Sequence, residues 1–221
     1  MPCGDRRSRA DWFASRRPSS QEAWQARILD NLDPQTHHNG QPAWLPDAAE
    51  FIQGNIQDRA SITAALQNID VVFHQAAYGG YMPEIAKYVH VNSFGTVQML
   101  EVIRDEKLPI QKVVVASSQA VYSEGAATCP EHGLVFPKVR PTEQLRAGDF
   151  PVHCPKCSAQ TTSVPIPEEG PIGGETVYGL TKVDQERLIL IWGRQTGTPT
   201  VALRYACTYG PRQSISIHTQ A

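Results

Sequence analysis

"KVVVASSQAVY" (residues 112–122) opens on a run of β-branched and small apolar residues, then breaks into two serines. A short, unbroken apolar run of this kind reads as a strand covered on both faces, the usual state of strands in parallel sheets. The sequence around it alternates accordingly. "RILD" (27–30), "AEFIQGNIQD" (49–58), "DVVFHQAA" (70–77) and "TVALRYA" (200–206) read as further strands with their exits. Between them, "RASITAALQNI" (59–69), "EIAKYVHVNSFGTVQMLEVIRDE" (84–106) and "VYGLTKVDQERLILIWGRQTG" (177–197) carry apolar residues at helical spacing. Strand alternating with helix implies right-handed crossovers and an α/β, doubly wound parallel sheet. Ligands of such sheets sit beyond the carboxyl ends of the strands, where Ser117 and Ser118 stand.

Composition narrows the classes. With 221 residues the chain is long enough for a sizeable core, and 41% hydrophobic with 19% charged residues is ordinary for a soluble globular protein. A net charge of -2 and a pI near 6.4 give no footing for nucleic acid or an anionic membrane. No apolar run reaches the roughly 18 residues of a membrane span, and the basic start lacks the apolar stretch of a secretory signal. Eight of the 17 prolines fall between residues 130 and 171, so an insertion without regular pattern is expected over 123–174. Three of the five cysteines lie in that insertion with histidine nearby, which fits a reducing, cytoplasmic setting better than a disulfide framework.

"CPEH" (129–132) and "HCPKC" (153–157) give Cys-x2-His and Cys-x2-Cys knuckles. This spacing matches the ligand spacing of a closed, tetrahedral structural zinc site, with Cys129, His132, Cys154 and Cys157 as ligands. His153 is an alternative fourth ligand; two unrelated turns with free thiols are the bland alternative.

"YGLTK" places Tyr178 and Lys182 one helical turn apart on one face. A tyrosine side chain with a reference pKa of about 10 is a poor base at neutral pH, and a lysine cation one turn away favours the phenolate. A serine hydroxyl can then orient a substrate hydroxyl whose proton leaves as hydride departs the same carbon. Alone, Tyr-x-x-x-Lys recurs by chance on surface helices. Joined to a serine pair ending a strand 60 residues earlier, it is specific.

With "RILDNLD", "VVFHQAA", "VNSFGT", "VVVASSQAVY", "YGLTK" and "LRYACTYGPRQ" in order, residues 27–214 resemble the extended short-chain dehydrogenase/reductase superfamily, in its NAD-dependent epimerase/dehydratase branch. The resemblance implies a Rossmann-like fold and a catalytic trio of Ser118, Tyr178 and Lys182. It implies that Asp30, followed by Asn31 and not by arginine, binds the adenosine ribose of NAD in preference to NADP. Asn55 and Ile56 match the adenine side, His74, Gln75, Ala76 and Ala77 the strand end along the pyrophosphate, and Asn92 the helix beside the site. Tyr178 and Lys182 face the cofactor as well. Gln119 and Ala120 replace the Asp-Glu pair of sugar dehydratases, which leaves epimerisation or plain redox. Ala206 and Cys207 replace the usual Phe-Asn after Arg204 and Tyr205, so substrate contact there departs from the family.

The insertion, with "LDNLDPQ", "EIAKYVHVN" and "GPRQSIS", is similar to dTDP-L-rhamnose 4-epimerases. That implies a nucleotide-diphosphate sugar substrate and, in intact members, a homodimer. A nucleotide-sugar 4-reductase and a non-catalytic zinc-containing binding protein are the alternatives.

The family also implies a first strand and a Gly-x-x-Gly-x-x-Gly turn ending about 18 residues before Asp30. "CGDRRSRADWFASRRPSS" (3–20) has no such turn. Asp-Trp-Phe read one base later forces glycine at position 12, and the permitted codons continue in that frame as a glycine-rich turn. "IHTQA" (217–221) can likewise be reread as a typical continuation of "GPRQS". The expectation is a frameshifted, inactive fragment, with an aberrant segment 1–26 ahead of a 27–221 NAD-binding unit and most of the C-terminal substrate domain missing. A divergent N-terminus is the alternative. Loss of the inner strand is expected to leave a gap with unpaired edges.

Overall fold

The structure, a computed structural model, describes residues 12–16, 25–34, 36–37, 40–79 and 83–209. Six strands form one sheet: β1 (Trp12–Arg16), β2 (Gln25–Asp30), β3 (Glu50–Gln53), β4 (Val71–His74), β5 (Lys112–Ser118) and β9 (Thr200–Tyr205). Their order is β3-β2-β1-β4-β5-β9. The pairs β2–β3, β4–β5 and β5–β9 are parallel, as the apolar runs require. This is the Rossmann-like α/β arrangement. The remaining expectation for the sheet is not met, because there is no gap. β1 fills the central position, pairing with β2 from Trp12↔Ile28 to Arg16↔Gln25 and touching β4 at Ser15↔Val71. It runs antiparallel to both neighbours. Exposed N–H and C=O groups on the facing edges of β2 and β4 accept any extended segment that can satisfy them, whichever way it runs.

Three helices pack on the sheet: α1 (Arg59–Leu66), α3 (Gly95–Asp105) and α5 (Val177–Thr196). Asp58 caps α1, accepting from the Ala60 and Ser61 amides and from the Ser61 hydroxyl, which holds its carboxyl below the usual range. The core between helices and sheet centres on Leu29, Val72, Met99, Val113, Val115 and Ile189, all at most 1% exposed. Burying each such side chain contributes about 2 kcal/mol.

The long helix expected over 84–106 is interrupted. After the short α2 (Ile85–Tyr88), residues Val89–Phe94 form a π-helical turn before α3 resumes the α-helical pitch. The insertion also carries more order than its sequence announces. β6 (Ala126–Cys129) pairs antiparallel with β7 (Gly133–Val135) and with β8 (Thr162–Val164), and a one-turn helix α4 (Thr142–Arg146) lies between β7 and β8. Among the described residues no helix is long and apolar enough to cross a membrane.

Candidate active site and metal cluster

The end of β5 sorts its two serines by partner. Ser117 Oγ donates to buried Glu186 on α5 at 2.8 Å, and Glu186 accepts from Arg204 Nε and Nη2 at 3.1 and 2.6 Å. Burial would raise the Glu186 carboxyl, yet Arg204 and Ser117 hold it below its ordinary value. Ser117 therefore braces the core. Ser118, half-buried, caps the 3-10 turn Gln119–Tyr122 by accepting from the Ala120 amide at 3.2 Å. Lys182 is 3% exposed, and its Nζ donates to Ala116 O at 2.8 Å, two residues before Ser118. The same Nζ lies 5.9 Å from the Tyr178 ring centroid, as one-turn spacing requires. Gly179 fits between them because a Cβ there would stand 2.6 Å from Ala120 O. The first turn of α5 thus presses against the turn that follows Ser118.

The π turn explains Asn92. Its wider pitch lets the fully buried side chain accept from Tyr78 N at 2.6 Å and donate to Tyr78 O at 3.0 Å and Thr181 Oγ1 at 2.9 Å. One amide therefore ties the exit of β4 to α5. His74, also fully buried, contacts Thr96 Oγ1 at 2.7 Å and Gln185 Nε2 at 3.0 Å. Burial, helped by the Lys182 cation, pushes its imidazole down to about 3, so it is neutral. Its ring is thereby committed to the core, and Gln75, Ala76 and Ala77 follow it at β4's carboxyl end. Ile56 is core, packed on Gly95, while Asn55 turns its own loop by accepting from Gln57 N at 2.9 Å. Asp30 ends β2 buried, accepting from Leu32 N at 2.7 Å and facing His37 Nε2 at 3.3 Å. Asn31 accepts from Asp33 N at 3.1 Å. Thr96, Thr181, Gln185 and His37 were not among the sequence candidates. A polar residue on an otherwise apolar helix face was the available signal for the first three.

In the insertion, the ligand atoms of Cys129, His132, Cys154 and Cys157 all lie within 4.8 Å of one another. Cys129 Sγ is 3.6 Å from His132 Nδ1 and 3.7 Å from Cys157 Sγ, and Cys154 Sγ is 3.7 Å from His132 Nδ1. Bond lengths of about 2.3 Å to sulfur and about 2.0–2.1 Å to nitrogen give a tetrahedron edges of about 3.6 and 3.8 Å. The set could hold a metal ion of that size. Burial would raise the Cys154 thiol, but the Lys156 and Cys157 amides and the neighbouring thiols outweigh it and hold Cys154 at about 6. The Ala159 amide would lower Cys157, but burial and the same thiols push it up to about 11. His153, the alternative fourth ligand, is engaged elsewhere. Its Nε2 bonds Asp149 at 2.8 Å and its Nδ1 bonds Ser158 O at 3.0 Å, and the Asp149 carboxylate raises its pKa.

Residues 14–144, more than half of the chain, match the model of the NAD dependent epimerase/dehydratase family. The chain belongs to that family. It is 32% identical over 197 residues to a dTDP-L-rhamnose 4-epimerase of Burkholderia thailandensis, covering 86% of this chain and 52% of the relative. A UDP-glucose 4-epimerase of Lactobacillus helveticus is 26% identical over 196 residues, covering 86% and 46%. The chain therefore spans about half the length of the curated relatives it matches. Among solved structures, UDP-glucuronic acid 4-epimerase from Bacillus cereus in complex with NAD superposes with a TM-score of 0.60 at 24% identity, covering 88% of this chain and 52% of that one. UDP-N-acetylglucosamine 4-epimerase from Methanobrevibacter ruminantium gives 0.62 at 22%, covering 89% and 52%. These two likenesses establish the fold. Within this epimerase/dehydratase family member, the order of the six strands is the doubly wound one, with β1 reversed. The expected glycine-rich turn falls on residues 3–20, of which only the backbone of 12–16 lies within the described residues.

Proposed function

We propose that this chain carries the catalytic half of an NAD-dependent nucleotide-sugar 4-epimerase, with a dTDP-linked 6-deoxyhexose as substrate. One observation carries the reading: Lys182 Nζ, anchored on Ala116 O, stands 5.9 Å from the Tyr178 ring at the strand end that presents Ser118. The polar set fits a dinucleotide, since Asp30 ends β2 as a buried carboxylate and Ala76 and Ala77 leave the end of β4 without bulk. NAD, held by Asp30 at its ribose and by the end of β4 along its pyrophosphate, would supply the hydride acceptor and donor for inversion at C4 of the sugar. Tyr178 Oη accepts the proton of the 4-hydroxyl and later gives it back. Ser118 orients that hydroxyl, and the Lys182 cation favours the phenolate form during transfer. Gln119 and Ala120 offer no acid for eliminating water, which separates this site from the dehydratases.

The test uses a chain with a glycine-rich turn in place of residues 3–26, continued to the length of its relatives. Given NAD+ and dTDP-L-rhamnose deuterated at C4, it is expected to form the C4 epimer with the deuterium kept. Net formation of NADH and a 4-keto sugar without epimer, the reductase direction run in reverse, would favour the 4-reductase. Neither product would leave a non-catalytic binding protein on this scaffold. As written, without that turn, the 221-residue chain is taken to be inactive.

The cysteine cluster is read as a structural zinc site, because four ligands close the shell and leave no position for a substrate. Chain purified without chelator is expected to carry about one zinc per chain, lost on chelation. Metal-free material that also refuses added zinc would remove this reading.

A further inference from the structure

The zinc lobe is rooted on the turn that carries the catalytic serine. The outgoing root, Tyr122 to Ala126, leaves directly from the 3-10 turn Gln119–Tyr122. The returning root comes back to the same turn, where Gly173 and Gly174 both donate to Val121 O, at 2.9 and 3.2 Å. A third tie joins them, since Arg204 Nη1 donates to Glu168 O at 2.6 Å and also to the Tyr122 hydroxyl. Gly174, at φ +66°, is held so close to α5 that a Cβ would stand 2.7 Å from Leu180 N. Val121 itself is fully buried. Both ends of the lobe thus converge, at Val121 and Tyr122, on the short turn whose Ala120 amide Ser118 caps.

The lobe's own buried cluster is small and rich in ligand candidates. Its buried apolar cluster is Ala127, Cys129, Val135 and Cys154, with Cys157 packed against them. Three of those five are metal-ligand candidates, and the other two are small. Its strands are three or four residues long. Such a unit lacks the apolar area to offset its own ordering entropy, so a metal would supply its folding free energy.

We propose that the lobe is a metal-dependent brace: occupancy of the Cys129–His132–Cys154–Cys157 site fixes the returning root on Val121 and so positions Ser118. Metal loading then controls the geometry of the catalytic turn from outside it, and the site becomes a point where zinc supply sets competence. This rests on the zinc reading, and the experiment separates the two.

Hydrogen–deuterium exchange is followed residue by residue in the full 221-residue chain, with its zinc content measured, then after chelation and after zinc is restored. Loss of metal is expected to speed exchange at Gly173, Gly174 and Ala120 by at least about tenfold, reversibly, while Val113–Val115 in β5 stay protected. The Cys129→Ser, Cys157→Ser double variant is expected to show the fast pattern without chelator. A chain that takes up no zinc overturns the zinc reading and the brace together. Zinc that binds, and whose removal melts 126–164 without changing Gly173, Gly174 and Ala120, overturns the brace alone. Equal loss of protection across β5 also overturns it, because the metal would then hold the whole chain and not this turn.

Discussion

Titrated with NAD+, the 221-residue chain is expected to bind at least about a hundredfold more weakly than a version carrying Gly-x-x-Gly-x-x-Gly within residues 3–26. Two features argue for an effect this large. The segment 3–20 holds a single glycine, Gly4, so its sequence cannot let a backbone approach a pyrophosphate as the family turn does. The strand in the central position also runs the wrong way. Trp12 lies opposite Ile28, toward the carboxyl end of β2, and Arg16 opposite Gln25 at its start. A parallel strand there would end at the cofactor side and lead into a helix whose N-terminus meets the phosphates. The reversed strand ends on the far side. Two to three charge-assisted hydrogen bonds from backbone amides are lost, at about 1.5–3 kcal/mol each, and each 1.4 kcal/mol is about tenfold in affinity. Asp30, Asn92 and the end of β4 remain in place but cannot supply those donors. Calorimetry on both versions decides it. Micromolar binding by the unaltered chain would overturn the reading that this segment is an aberrant replacement, and with it the frameshift account.

Much of this architecture is legible in the sequence, and the reason is burial. Residues 113–116 are apolar without interruption and buried throughout, because helices and neighbouring strands cover both faces of β5, whereas β4 is covered less evenly and leaves Phe73 exposed. Tyr178 and Lys182 are legible because four residues are one turn in any α-helix. The cysteine knuckles are legible because two-residue spacing lets a turn point both side chains at one place, and the four candidate ligand atoms do lie within 4.8 Å of one another. The π turn at Val89–Phe94 is not, since "VHVNSF" suits α and π pitch alike and the choice is made by Asn92 finding Tyr78 and Thr181. The direction of β1 is invisible for a related reason: "WFASR" encodes an extended segment, and the open edges of β2 and β4 decide how it pairs. His132 and His153 stand at equally plausible spacings. Asp149 and the Ser158 carbonyl claim His153, and no spacing rule contains either of them. The lobe's small sheet hides because its core is cysteine and alanine, which read as loop.

In a chain restored at residues 3–26 and continued to the length of its relatives, Tyr178→Phe is expected to lower epimerisation by about a thousandfold or more, within the range assigned to general acid–base catalysis. The substitution removes one oxygen and little else. The Tyr178 ring packs edge-on to Tyr88 at 6.4 Å between centroids, a contact that phenylalanine keeps. Among the described residues the Tyr178 hydroxyl makes no hydrogen bond, so no buried partner is left unsatisfied. Stability is therefore expected to change by less than about 0.5 kcal/mol, as for ordinary partly exposed positions. NAD affinity should move by less than about threefold, because Lys182 stays on Ala116 O and Asp30 is remote in sequence and strand. The split between the two readouts carries the argument. A Phe variant that keeps both fold and cofactor yet loses turnover isolates the proton transfer at Oη. A loss of turnover that tracks a loss of NAD would instead make Tyr178 a binding residue. Undiminished turnover would mean that the proton moves elsewhere, and that the serine, tyrosine and lysine at the end of β5 are a likeness without the chemistry.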